Sequence, residues 1–130
     1  MAQARTVLVT GGNRGIGFAI AQQFVIDGHR VAVTARSGEG PEGSVTVRAD
    51  VTDGDSLDQA LESVEEQLGP VEVLVANAGI TRDTLLMRMS DDDFEEVINT
   101  NLTGVFRVVK RAIKGMVKGR YGRLILISSV

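Results

Sequence analysis

The chain predicts an open α/β domain whose parallel sheet is doubly wound, with helices on both faces. Three observations carry this. The first is the opening: Val7-Leu8-Val9-Thr10 is a short apolar run that passes through Gly11-Gly12-Asn13-Arg14-Gly15-Ile16-Gly17 straight into the apolar pattern of residues 18–25. The second is alternation, since strand-like runs and stretches with helical spacing follow one another along the chain. The third is the composition of the later runs. Val71-Glu72-Val73-Leu74-Val75-Ala76 is nearly continuous in apolar residues, as suits a strand buried on both faces of a parallel sheet.

Residues 6–10 predict the first strand and residues 15–26 the first helix, closed by Asp27-Gly28. Residues 30–35 predict the second strand. Residues 37–44 are rich in glycine with a proline and predict a loop; residues 45–49 predict the third strand. Thr52-Asp53-Gly54-Asp55 resembles a helix N-cap with an acid three residues on. The helix that follows places Leu57, Ala60, Leu61, Val64 and Leu68 on one face, and Gly69-Pro70 ends it. Residues 71–76 predict the fourth strand. Ser90 with Asp93 forms a second capping box, opening a helical region over residues 91–118 that is broken near residues 99–104. Val105, Val108, Val109, Ala112, Ile113 and Met116 form its later apolar face. Residues 119–122 predict a turn and residues 124–127 a fifth strand.

At 130 residues the chain is one domain at most, large enough for a core. No apolar stretch approaches membrane-spanning length, and residues 1–5 have no signal-peptide architecture. The expectation is a cytoplasmic protein with no membrane contact. The absence of cysteine excludes disulfides and thiol chemistry. A net charge of −3 argues against nucleic acid as a partner. Charge is unevenly placed: Asp91, Asp92, Asp93, Glu95 and Glu96 precede a basic run of Arg107, Lys110, Arg111, Lys114, Lys118, Arg120 and Arg123. The basic run is either a solvated helix face or a dock for an acidic partner.

A strand, a glycine-rich turn and a helix in that order make a phosphate cradle. Gly11 and Gly15 let the backbone turn sharply and approach a ligand. The following helix points unpaired N–H groups and its positive dipole end into the turn. The bland alternative is a tight strand–helix connection. Arg14 sits in the turn and Arg36 ends the second strand, with no acid before Glu39. An acid there would hold a ribose 2′-hydroxyl, whereas arginine suits a 2′-phosphate, which favours NADP(H) over NAD(H); the bland alternative is that both arginines are solvated surface charges. Asp50-Val51 follows the third strand, where a carboxylate either accepts from an adenine amino group or caps the next helix. Asn77-Ala78-Gly79 follows the fourth strand and either faces the cofactor or forms a plain turn. Asn101 is polar inside a helical stretch and either bends it or holds a water; Ser128 and Ser129 end the fifth strand. His29 reads as a turn residue, and Met87 with Met89 as packing.

Together these residues resemble the short-chain dehydrogenase/reductase family over essentially the whole chain. Thr10-Gly11-x-x-x-Gly15-x-Gly17, Asn77-Ala78-Gly79, Asn101 and Ser129 fall in family order. Residues 85–89, 101–107 and 122–125 are similar to the 3-oxoacyl-[acyl-carrier-protein] reductases of bacterial fatty-acid synthesis. The resemblance implies a Rossmann-type sheet of order 3-2-1-4-5 and the cofactor NADP(H). It implies cofactor contacts from Thr10, Gly11, Asn13, Arg14, Gly15, Ile16, Gly17, Arg36, Asp50, Val51, Asn77, Ala78 and Gly79. Ser129 would polarise the keto oxygen, and Asn101 would hold a water in a proton relay. Arg120 matches a position where such reductases meet acyl carrier protein, and a homotetramer is implied for the complete protein.

One departure is large. The family's proton donor is the tyrosine of a Tyr-x-x-x-Lys pair beyond the serine, whereas Tyr121 precedes Ser129 and is followed four residues later by Ile125. Loss of a matched acid costs ~10²–10⁴-fold in rate, so this chain alone is expected to be inactive. Residues 1–130 are expected to be the N-terminal, NADP-binding portion of a longer single-domain reductase, truncated after strand five. In the order 3-2-1-4-5 that strand is an edge, so residues 124–127 are expected to expose apolar side chains and unpaired backbone. The alternatives are a short-chain reductase of another carbonyl, or a non-catalytic nucleotide-binding module.

Overall fold

The fold is built around Thr6–Thr10, strand β1, none of whose side chains is exposed. The structure, a computed structural model, describes residues 3–77, 79–80 and 84–128. Among them β1 is followed by α1 (Gly15–Ile26), β2 (Arg30–Ala35), β3 (Val45–Arg48), α2 (Gly54–Leu68), β4 (Val73–Ala76), α3 (Asp91–Ile98), α4 (Gly104–Gly119) and β5 (Arg123–Leu126). The strands form one parallel sheet, as the sequence predicts, in the order β3-β2-β1-β4-β5 that the family resemblance implies. Leu8 lies opposite Ala32 on one side and Leu74 on the other.

Strand alternation divides the core into two layers. Leu8, Ala32 and Leu74 face α2 and α4, packing with Leu57, Leu61, Val64, Val108 and Met116. Val7, Val9, Val31, Val33 and Val75 face the other way, against Ala21, Ile20 and Phe24 of α1. The three- and four-residue spacing in α2 therefore becomes a buried stripe, as expected. The outer strand β5 is exposed along its length, with Leu126 at 56%. This agrees with its expected place at the sheet edge.

The differences from expectation are local. Asp53, rather than Thr52, caps α2; its carboxylate accepts from the backbone N–H groups of Asp55 and Ser56. Regular β4 geometry starts at Val73 rather than residue 71, although Glu72 N already donates to Thr6 O at 2.9 Å. β5 runs from Arg123 to Leu126, one residue earlier than predicted. Leu86–Arg88 forms a short 3₁₀ turn that carried no sequence signal. Met87 there is 89% exposed, so it is not the packing residue its pairing with Met89 suggested. The break in the long helical region is a π-helical turn, Asn99–Thr103, in which Gly104 N donates to Asn99 O. One extra residue per turn offsets α4 from α3 without ending the helical path.

Candidate cofactor site

At the carboxyl edge of the sheet a cleft of about 590 Å³ opens where the chain turns from β1 toward β2 on one side and β4 on the other. Reversal of strand order makes a crevice there, because the helices after the two central strands diverge onto opposite faces. Gly11, Asn13, Arg14, Gly15 and Ile16 form its floor, Arg36 and Asp50-Val51 one wall, and Asn77 and Gly79 the other.

The floor takes its shape from two positive φ angles. Gly11 at φ 66° lets its N–H and that of Gly12 both donate to Thr34 O, at 3.0 and 3.3 Å. Gly15 stands at φ 59° with open space where a Cβ would be. Gly17 has no such space: a Cβ would run into Gly11 O and the Asn77 side-chain amide. α1 then starts without a side-chain cap and without an acid in its first turn. By contrast α2 is capped by Asp53 and α3 by Ser90, each with acids in the first turn. The N-terminal N–H groups of α1 are thus left for an anion in the cleft.

Thr10 is buried beneath the floor, where its hydroxyl accepts from Asn77 N at 2.9 Å. Asn77 Nδ2 donates to Gly11 O at 3.3 Å, tying the end of β4 to the glycine turn. Asn13 Nδ2 donates to Ser37 O at 3.0 Å, and Arg48 holds Gly38 O and the Glu39 carboxylate. These bonds fix the start of the loop beside Arg36. Arg14 and Arg36 are exposed and are the cations of the lining; Asp50 is its carboxylate, among the described residues.

Asp50 Oδ1 accepts from the Thr52 hydroxyl at 2.6 Å and from Thr52 N at 2.9 Å. The Thr52 hydroxyl, then its backbone N–H, and the charges of Arg36 and Arg107 hold the carboxyl below its ordinary range, outweighing its partial burial. A folded-state pKa below the unfolded one stabilises the fold above the carboxylate range, and this is lost as pH falls through it. Thr52→Val removes the hydroxyl donor. The variant is expected to be less stable than the parent at neutral pH, with the gap closing as pH falls through and below the ordinary carboxylate range. Urea melts across that range check this; a gap independent of pH would refute it.

Asn101 lies in the π turn outside the cleft lining, and its side chain is committed to one neighbour. Its Oδ1 accepts from Ile80 N at 2.8 Å and its Nδ2 donates to Ile80 O at 2.7 Å. The side chain braces the wall that Gly79 and Ile80 form, and the helical stretch passes through a π turn at this point. Ala78 and Ser129 lie outside the described residues. Arg120 caps α4 in the left-handed conformation (φ 56°) at the amino edge of the sheet, far from the cleft. Tyr121 is at that same edge, its ring beneath the guanidinium groups of Arg5 and Arg123, so it is not a proton donor for the cleft. His29 accepts there from Arg5 N through Nδ1, the structural part expected of it.

The basic run divides in two. Arg111 pairs with Asp58 and Glu65 of α2, and Arg107 turns toward Val51 and Asn99. Lys110, Lys114, Lys118, Arg120 and Arg123 remain exposed. Thr34, Ser37, Ile80 and Thr100 carried no site expectation from the sequence, and Arg107 only that of the basic run. The β1–β2 register, which pairs Thr10 with Thr34, was the available signal for the first. The others depend on loop and π-turn geometry that no spacing encodes.

A parallel sheet of this order with a glycine turn and an uncapped helix at its crevice defines a Rossmann-type fold of the kind that binds NAD(P). The short chain dehydrogenase family model matches residues 5–130, and the chain belongs to that family. It is 58% identical over 127 residues to the 3-oxoacyl-[acyl-carrier-protein] reductase MabA of Mycobacterium tuberculosis (strain ATCC 25618 / H37Rv), covering 98% of this chain and 51% of the relative. It is 42% identical over 136 residues to the 3-oxoacyl-[acyl-carrier-protein] reductase FabG of Escherichia coli (strain K12), covering 98% and 56%. The ligand-free aldohexose dehydrogenase of Thermoplasma acidophilum superposes with a TM-score of 0.92 at 32% identity, covering 98% of this chain and 50% of that one. The chain thus spans about half the length of the relatives it matches. Family membership supports an oxidoreductase function. Among the described residues no helix is long and apolar enough to cross a membrane, and no cluster of metal-ligating side chains occurs.

Proposed function

We propose that this chain is the cofactor-binding portion of an NADPH-dependent reductase that converts 3-oxoacyl-[acyl-carrier-protein] to the 3-hydroxyacyl form. The observation that carries NADPH over NADH is the pair Arg14 and Arg36 in the lining of a cleft whose described residues include no carboxylate at the end of β2. The acyl substrate is supported by 58% identity to a reductase of that name. The residues present fit the dinucleotide: an uncapped helix end for the pyrophosphate, two cations for a 2′-phosphate, and Asp50-Val51 for the adenine.

When bound, NADPH supplies the hydride that reduces the β-keto carbon. Gly11, Gly15, Gly17 and the start of α1 hold the pyrophosphate, while Asn77 keeps the floor and the β4 wall in register. Asn101 orients the Gly79-Ile80 wall. Each polar atom of its amide keeps one further hydrogen-bonding position for a relay water. Ser129 would steady the keto oxygen. The exposed basic residues, Arg120 among them, would meet the acidic carrier, where complementary charge speeds encounter. With this reading go the finer expectations of a cytoplasmic homotetramer.

The test has two parts. NADPH and NADH are titrated into the chain by fluorescence, with tighter NADPH binding expected. The product of the full reading frame is then assayed with an acetoacetyl thioester and with aldohexoses. Thioester-dependent NADPH oxidation is the expected result. Turnover of aldohexose alone would replace the acyl substrate, and NADPH binding without turnover of any carbonyl would leave a nucleotide-binding module.

A further inference from the structure

Arg107 joins two segments that are remote in sequence, the adenine-side wall and the π turn. Its NH1 donates to Val51 O at 3.2 Å and to Asn99 Oδ1 at 2.8 Å. Val51 is itself buried against α4: a Cβ on Gly104 would come within 2.9 Å of Val51 Cγ2. Asn99 opens the π turn, and its carbonyl accepts the turn's closing bond from Gly104 N. Two residues on, Asn101 grips both backbone polar groups of Ile80, which lines the opposite part of the cleft. One guanidinium, half-buried, thus sits between the Asp50-Val51 segment and the turn that carries Asn101.

We propose that Arg107 is a positioning residue that couples occupancy of the adenine end of the cleft to the placement of Asn101 and, through it, of the Ile80 wall. This rests on the reading of the cleft as an NADPH site. Its physical basis is a shared donor. A guanidinium held by two acceptors on different segments resists their relative movement, and ordering one segment orders the other. Arg111, one turn further along α4, makes a useful contrast, because it grips only α2 through Asp58 and Glu65. Contiguity alone does not demonstrate coupling, so the test must read Asn101 when only the adenine end is filled.

The probe is 2′,5′-ADP, which has the adenine and the 2′-phosphate but no nicotinamide. The readout is the side-chain amide signal of Asn101 in ¹⁵N-correlated spectra of the ¹⁵N-labelled chain. In the parent, saturation with 2′,5′-ADP is expected to shift that signal. Arg107→Met keeps the aliphatic stem but not the donors; it is expected to abolish the shift and to weaken 2′,5′-ADP binding about fivefold. Asn99→Ala, which cuts the strut at its other end, is expected to abolish the shift as well and serves if Arg107→Met does not fold. Arg111→Met is expected to lower the melting temperature yet keep the shift. A shift that survives in both Arg107→Met and Asn99→Ala, or is absent from a parent that binds 2′,5′-ADP, overturns the coupling and leaves the NADPH reading intact. A parent that does not bind 2′,5′-ADP overturns both.

Discussion

Gly17→Ala is expected to remove NADPH binding while leaving a folded chain. The methyl group would run into Gly11 O and the Asn77 amide, and neither can yield cheaply. Gly11 O belongs to a turn already fixed by two N–H bonds to Thr34 O, and Asn77 is tied to Thr10. Relief must come from α1 moving away from the turn, which displaces the N–H groups that face the cleft. Overpacking of this kind costs ~1–3 kcal/mol in stability, but misplacing the phosphate donors removes most of the affinity. Gly15→Ala is the control. Its added Cβ meets nothing within 4 Å, so the variant bears only the left-handed backbone cost of ~1 kcal/mol. Titration calorimetry with NADPH beside thermal melts separates the two. Gly17→Ala should fall below measurable binding, and Gly15→Ala should bind more weakly but measurably. NADPH binding by Gly17→Ala within about twofold of the parent would show that the turn does not hold the phosphates.

These two glycines also show how far the sequence can be read. The glycine turn and the cation at the end of β2 were legible because each follows from local chemistry: a turn at positive φ needs glycine, and Arg36 stands where the apolar run ends; that α1 starts without a side-chain cap is a finding of the structure. The parallel α/β sheet was legible because apolar runs alternate with amphipathic helices; its order was legible only through the family resemblance. The part played by Asn101 was less so. Its polarity within a helical stretch left a bend or a held water open, but its partner, Ile80, is 21 residues away, and Asn101 meets it from within the π-helical turn Asn99–Thr103. Arg107 was hidden in a run of like charge. A basic run read along the sequence looks like one solvated face, whereas α4 turns Arg107 and Arg111 inward and leaves Lys110, Lys114 and Lys118 outside. The two inward arginines differ again in what they grip, and no spacing rule separates them.

Replacing the two cleft arginines is expected to change which nucleotide binds without emptying the site. A charge-assisted hydrogen bond contributes ~1.5–3 kcal/mol, so Arg36→Ala should lower the preference for NADPH over NADH by about 10- to 100-fold. Arg14→Ala in the same chain should lower it further, though by less than the product of the single effects, since both arginines would face one phosphate. NADH binding should hold, because its pyrophosphate depends on the glycine turn and on α1 rather than on these side chains. Both arginines are exposed, so salt offers a second check: the NADPH preference of the parent should fall as ionic strength rises, and that of the double variant should not. Removing Arg36 also takes away one of the charges that hold the Asp50 carboxyl low, so its pKa should rise in the variant. If Arg36→Ala instead weakens NADPH and NADH equally, the residue supports the pyrophosphate or the loop. The basis for NADPH would then rest on Arg14 alone, a weaker footing because that residue also begins the phosphate-facing helix.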